Sequence, residues 1–81
     1  MHTVYILLSE KLNIYYVGST ANMEDRIKRH NQGRSKFTKT GVPWKIVYQK
    51  QYETKGEAYR AELYIKSKKS RIYIEQLIKH I

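Results

Sequence analysis

Two phenols, a guanidinium, an imidazole and a carboxylate stand out in this chain: Tyr5, Tyr16, Arg26, His30 and Glu62. Phenols and imidazoles can move protons. A guanidinium can fork onto phosphate oxygens. A lone carboxylate can hold a divalent cation whose other ligands are water and substrate phosphate. Paired phenols beside a basic helix therefore point to phosphate chemistry, provided the chain brings the five groups together.

The elements that would position them can be read from pattern. Thr3 to Leu8 is β-branched and apolar, which predicts a buried strand. Ser9 to Asn13 is turn-like, and Ile14 to Gly18 reads as the returning antiparallel strand. The hairpin is expected to set Tyr5 and Tyr16 side by side. Tyr16 shares a strand face with Gly18, whose missing side chain leaves room for a ligand or a neighbouring group. Asn22 caps a first helix, with Glu24 and Asp25 in its first turn and Gly33 as its stop. Residues 34–43 form a polar loop. Trp44 to Tyr52 alternates as a third strand, with Trp44, Ile46 and Tyr48 on one face and Lys45, Val47 and Gln49 on the other. Thr54 and Glu57 form a capping box for a helix from about Lys55 to Lys68, and Ser70 caps a last helix to about Lys79. The expectation is one α+β domain over residues 1–81, a small three-stranded antiparallel sheet flanked by three helices in the order β-β-α-β-α-α.

Helical spacing groups the charged candidates. Met23, Arg26, Ile27 and His30 share one stripe, and Arg26 and His30 are i,i+4 neighbours at a core boundary. They either bind phosphate or pack, Arg26 by snorkelling and His30 as a half-buried ring. Ala58, Ala61 and Ile65 form the apolar stripe of the second helix, and Glu62 interrupts it. A carboxylate facing a core needs a partner. A salt bridge, a structural hydrogen bond and a metal all satisfy it. The tyrosines likewise have an alternative as cross-strand packing pairs.

The bulk numbers narrow the class. Sixteen Lys and Arg against seven Asp and Glu give +9 on 81 residues, a balance that favours polyanions through counterion release. Residues 1–50 carry nine basic and three acidic side chains and residues 51–81 carry seven and four, so the charge is not a basic tail. Lys66, Lys68, Lys69 and Arg71 concentrate it at the second helix junction, as phosphate contacts or as a solvated surface. With no cysteine there is neither a disulfide framework nor a thiolate metal site. No apolar run approaches the roughly 20 residues of a membrane span, and no signal-peptide core is visible, so a cytoplasmic location is expected. His2 and His80 show no metal spacing with His30, and no glycine-rich phosphate loop exists.

The ordered set Tyr5, Tyr16, Arg26, His30 and Glu62 resembles the GIY-YIG endonuclease superfamily. Thr3-Val4-Tyr5 stands in the first motif and Tyr16-Val17-Gly18 in the second. The resemblance spans nearly the whole chain and is greatest to the small stand-alone bacterial proteins of this type. It implies hydrolysis of a phosphodiester with one divalent metal, Mg²⁺ or Mn²⁺, held by Glu62. Tyr5 would accept the proton of the attacking water, His30 would accept a hydrogen bond from Tyr5, Tyr16 would orient water or phosphate, and Arg26 would bind the scissile phosphate. Gly18 would keep the sheet surface open. The first motif has Thr3-Val4 where the name-giving pattern has Gly-Ile, and residues 71–81 lack the asparagine many such nucleases carry. The expected activity is a nuclease on DNA, or on RNA, with low sequence specificity. The alternative is a nucleic-acid-binding module that keeps the fold with weak or no catalysis.

Overall fold

The computed structural model describes residues 1–34, 36 and 38–79. The expected order is present: β1 (His2–Ser9), β2 (Ile14–Thr20), α1 (Met23–Asn31), a 3-10 turn at Lys39–Gly41, β3 (Trp44–Tyr52), α2 (Lys55–Ser67) and α3 (Arg71–Lys79). The strands form one antiparallel sheet in the order β2-β1-β3, so the most apolar strand lies in the middle. The caps are those the side chains allow. Asn22 accepts from the Asp25 amide, Thr54 from the Glu57 amide and Ser70 from the Tyr73 amide. Gly33 takes the left-handed conformation beyond α1, with φ of 73°.

Each face of the sheet carries its own core. Val4, Ile6 and Val17 pack beneath α2 and α3 with Ala58 and Ile65, joined by Tyr48, Tyr52, Tyr73 and Ile74. Tyr5, Leu7 and Trp44 pack on the other face beneath α1, with Met23 and Ile27. The last helix is also tied to the first turn. Arg71 donates from Nη1 to the Asn13 carbonyl at 2.6 Å and from Nη2 to Asn13 Oδ1 at 2.7 Å. Tyr15 donates to Glu75 Oε2 at 3.4 Å.

Two details differ from the sequence expectation. Ser9 pairs with Ile14 across the Glu10–Asn13 turn, which sets Tyr5 opposite Gly18 and Tyr16 opposite Leu7. The two phenols are therefore diagonal neighbours, their ring centres 6.4 Å apart, and not a direct pair. The length of the turn, invisible to strand periodicity, decides this. Second, β3 does not alternate throughout. Leu7 pairs with Ile46 and Ile6 with Tyr48, so Val47 is an extra residue. The bulge keeps Trp44 and Ile46 under α1 but turns both Val47 and Tyr48 toward α2 and α3.

Candidate active site

The centre of the site is the face under α1. Tyr5 is 1% exposed and its hydroxyl lies 3.3 Å from His30 Nε2. The space for that phenol comes from the strand beside it: a Cβ at Gly18 would lie 2.5 Å from the Tyr5 hydroxyl and 2.7 Å from Cζ. Tyr16 completes a three-ring group, its centre 5.2 Å from the His30 ring. Tyr16 also meets the Trp44 ring edge-on at 6.3 Å.

His30 is 2% exposed, and its Nδ1 lies 2.7 Å from Thr38 Oγ1. Burial, and then the Arg26 charge, push the imidazole below its ordinary value of 6.5. A neutral ring has one N–H and one lone pair. In the tautomer that donates Nδ1–H to Thr38, Nε2 accepts from the Tyr5 hydroxyl. Burial first, then Tyr16 and Glu62, hold the Tyr5 phenol above its ordinary value, while Arg26 acts in the opposite direction. Tyr5 is therefore a protonated phenol in this structure.

Thr38 is what the sequence reading missed. It sits in the loop before the 3-10 turn, where no periodicity marks it. It is fully buried, and its carbonyl accepts from Trp44 Nε1 at 2.6 Å. Asn31 clasps the Trp44 backbone from the end of α1, accepting from the Trp44 amide at 2.6 Å and donating to its carbonyl at 3.1 Å. His30 is thus fixed by its own helix and by the returning loop. Thr38→Val removes a buried partner at nearly constant volume. It is expected to cost about 1–3 kcal/mol, read as a lower denaturant midpoint, while Thr38→Ser retains most of the stability.

The depressed imidazole also sets a pH dependence. Its folded value lies below 6.5, so its contribution to stability is complete above that pH and is lost as pH falls from there toward the folded value. Thermal unfolding followed between about pH 8 and about pH 5 should show a midpoint falling more steeply for the wild type than for His30→Gln. Equal slopes would assign the acid sensitivity to other groups.

Arg26 lies half-buried on the α1 stripe with His30, as the spacing predicts, and its Nε is buried without a partner among the described residues. A recess of about 260 Å³ opens there, lined by Arg26, Arg29, His30 and Arg34. Arg29 is exposed and paired with Asp25 at 3.2 Å, yet it borders this recess.

Glu62 stands apart from the phenols. Its partners are Ser19 Oγ, donating to Oε1 at 2.6 Å, and Lys66 Nζ, 2.6 Å from Oε2. Ser19 pairs with Val4, on the face toward α2, whereas Tyr5 and Gly18 belong to the face toward α1. The carboxylate thus reaches β2 from the α2 side of the sheet, and its negative charge is the last of the influences that raise the Tyr5 phenol. The salt bridge left open by the sequence is present, but its lysine is 47% exposed and the carboxylate 12%. Such a pair contributes at most about 1 kcal/mol. No group of three or more His, Cys, Asp or Glu side chains is placed to hold a metal among the described residues. A single hard carboxylate that already attracts a cation fits a one-protein-ligand magnesium or manganese site completed by water and phosphate.

Of the junction cations, Lys66 and Lys69 line a groove of about 430 Å³ along the β2 edge, with Tyr15, Tyr16 and Ile65. Arg71 borders the same groove but is engaged by Asn13, Glu75 and the Tyr15 ring. Lys68 lies over the Tyr64 ring at 4.5 Å and near that of Tyr73. His80 is outside the described residues.

The class of this α+β domain comes from sequence comparison. A family model described as the GIY-YIG catalytic domain matches residues 1–76, and the chain belongs to that family of nucleases. Within it, the chain is similar to small bacterial proteins of the UPF0213 group. It is 46% identical over 67 residues to one from Staphylococcus haemolyticus, covering 82% of this chain and 80% of the relative. It is 37% identical over 79 residues to YazA of Bacillus subtilis, covering 93% and 79%. The solution NMR structure of a UPF0213 protein from Bacillus halodurans superposes with a TM-score of 0.61 at 35% identity, over 96% of this chain and 82% of that one. GIY-YIG nucleases generally use a divalent metal and act on nucleic acid. No helix among the described residues is long and apolar enough to cross a membrane.

Proposed function

We propose that the chain is a metal-dependent endonuclease hydrolysing phosphodiester bonds in DNA, with RNA as the alternative substrate and with low sequence specificity. One observation carries the reading: Arg26 and His30 line a recess with two further arginines, Arg29 and Arg34, next to the two phenols. Three guanidinium groups around one recess lack a matching anion among its lining residues, and a phosphate in the recess would pair with them. The +9 charge favours the polyanion that would bring one.

Arg26 binds a non-bridging phosphate oxygen and offsets charge as water adds to phosphorus. The phosphate's negative charge, arriving between Arg26 and His30, offsets the Arg26 part of what depresses the imidazole, while Arg26 and a divalent ion would favour the Tyr5 phenolate. His30 Nε2 then accepts the Tyr5 proton, with Nδ1–H held on Thr38. The phenolate takes a proton from the attacking water, which forms the new P–O bond as the leaving oxygen departs. Tyr16 orients water or phosphate. A divalent ion on Glu62 would polarise the phosphoryl group and stabilise the leaving oxygen. Lys66, Lys68, Lys69 and Arg71 carry phosphates flanking the cut. Such contacts position the strand without reading its sequence.

The test is a cleavage panel of supercoiled, single-stranded and branched DNA, with RNA, in Mg²⁺, Mn²⁺ or EDTA. Cleavage is expected with either metal, with none in EDTA and a large loss in Glu62→Gln. Activity unchanged by EDTA and by Glu62→Gln would refute the metal role. Salt-sensitive binding to every substrate with no cleavage of any would replace the nuclease by a binding module. The protonated state of Tyr5 and the occupied Glu62 are the features that favour that second reading.

A further inference from the structure

Glu62 has two partners of different kinds. Ser19 belongs to β2 and holds Oε1 from a fixed strand position. Lys66 holds Oε2 from the end of a flexible four-carbon stem that is nearly half exposed. If Lys66 leaves, Ser19 still keeps the carboxylate in place. Lys66 also has somewhere to go, because it lines the groove along the β2 edge, where Lys69 adds a second ammonium.

A divalent ion needs an oxygen at about 2.1 Å and dehydrates reluctantly. An ammonium already 2.6 Å from Oε2 repels that ion and blocks its approach. Ammonium and metal therefore exclude one another on this carboxylate. A strand phosphate in the groove offers the ammonium an alternative anion at no loss of charge pairing.

We propose that Lys66 is a resident counter-ion that keeps divalent cations off Glu62 until a nucleic-acid phosphate draws it away, so that metal and nucleic acid bind cooperatively. This rests on the reading of Glu62 as the metal-holding carboxylate. Because coupling between two ligands is reciprocal, the metal also tightens the protein's hold on nucleic acid.

The test measures Mn²⁺ affinity by the EPR signal of free Mn²⁺, in the Tyr5→Phe background to prevent cleavage. It is made with and without a short DNA oligonucleotide, against the DNA alone. Lys66→Met is expected to tighten Mn²⁺ by about two- to fivefold in the free protein, the range a partly exposed ion pair allows. The enhancement that DNA gives should shrink by the same factor. Lys69→Met removes an equal charge from the same groove without touching Glu62 and is expected to change Mn²⁺ affinity less. Lys66→Gln guards against an effect peculiar to methionine. If Lys66→Met and Lys69→Met shift Mn²⁺ equally, or Lys66→Met not at all, the counter-ion role is overturned. Glu62→Gln separates the premises: Mn²⁺ binding unaffected by it would refute the metal role of Glu62 itself.

Discussion

Tyr5→Phe is expected to lower phosphodiester cleavage by about 10²–10⁴-fold while leaving the fold intact, the range for a proton-transferring group. The substitution deletes one oxygen from a fully buried ring. The ring keeps its contacts with Leu7 and Trp44 and its room above Gly18. What is lost is a 3.3 Å hydrogen bond to His30, long enough that its net contribution is at the low end of about 0.5–1.5 kcal/mol. Activity and stability are therefore predicted to separate. Single-turnover cleavage and urea unfolding on the same preparations measure the two. Tyr16→Phe is the natural comparison, because Tyr16 is half-buried and makes ring contacts only among the described residues, and its loss should be smaller. Cleavage by Tyr5→Phe at the wild-type rate would remove Tyr5 from the chemistry, whatever its burial.

Gly18→Ala carries the largest expected effect on structure, and its sign is informative. In an open strand position alanine is favoured over glycine by about 0.5–1 kcal/mol. Here the added Cβ meets the Tyr5 hydroxyl at 2.5 Å and Cζ at 2.7 Å, so either β2 or the phenol must move. Overpacking of that kind costs about 1–3 kcal/mol. Displacing the phenol also breaks its approach to His30, so cleavage should fall with stability. A double-mutant cycle identifies the cause. In a Tyr5→Leu background the clash is gone, and the alanine should be neutral or stabilising. An equal penalty in both backgrounds would mean that the phenol is not what glycine accommodates.

The parts of this molecule governed by helical periodicity were readable from sequence. Met23, Arg26, Ile27 and His30 share a face because helix geometry leaves no choice, and Glu62 stood out as a carboxylate within an apolar stripe. The sheet was less readable. A period of two identifies strands but says nothing of how many residues a turn consumes, and so Tyr5 lies opposite Gly18. Nor does it register one extra residue, so Tyr48 faces away from Trp44 and Ile46. Thr38 and Ser19 were hidden for another reason. A small hydroxyl in a loop or on an edge strand has no pattern, and its meaning depends on what the fold places beside it. Lys66 did carry a signal, the i,i+4 spacing from Glu62 that commonly marks an ion pair on a helix.

The grip of Arg71 on the Asn13 turn bears on the order in which this protein comes into being. Every residue of the candidate centre, from Tyr5 to Glu62, precedes α3 in the chain. The hairpin that carries those tyrosines stays without its two clamps until residues 71 and 75 have emerged, 58 and 60 positions downstream of their partners. Closing contacts so distant along the chain is entropically slow, and it rewards folding only once α3 has emerged. A growing chain therefore carries the components of the site before either clamp can form, and the emergence of α3 sets the moment at which the turn is tied down.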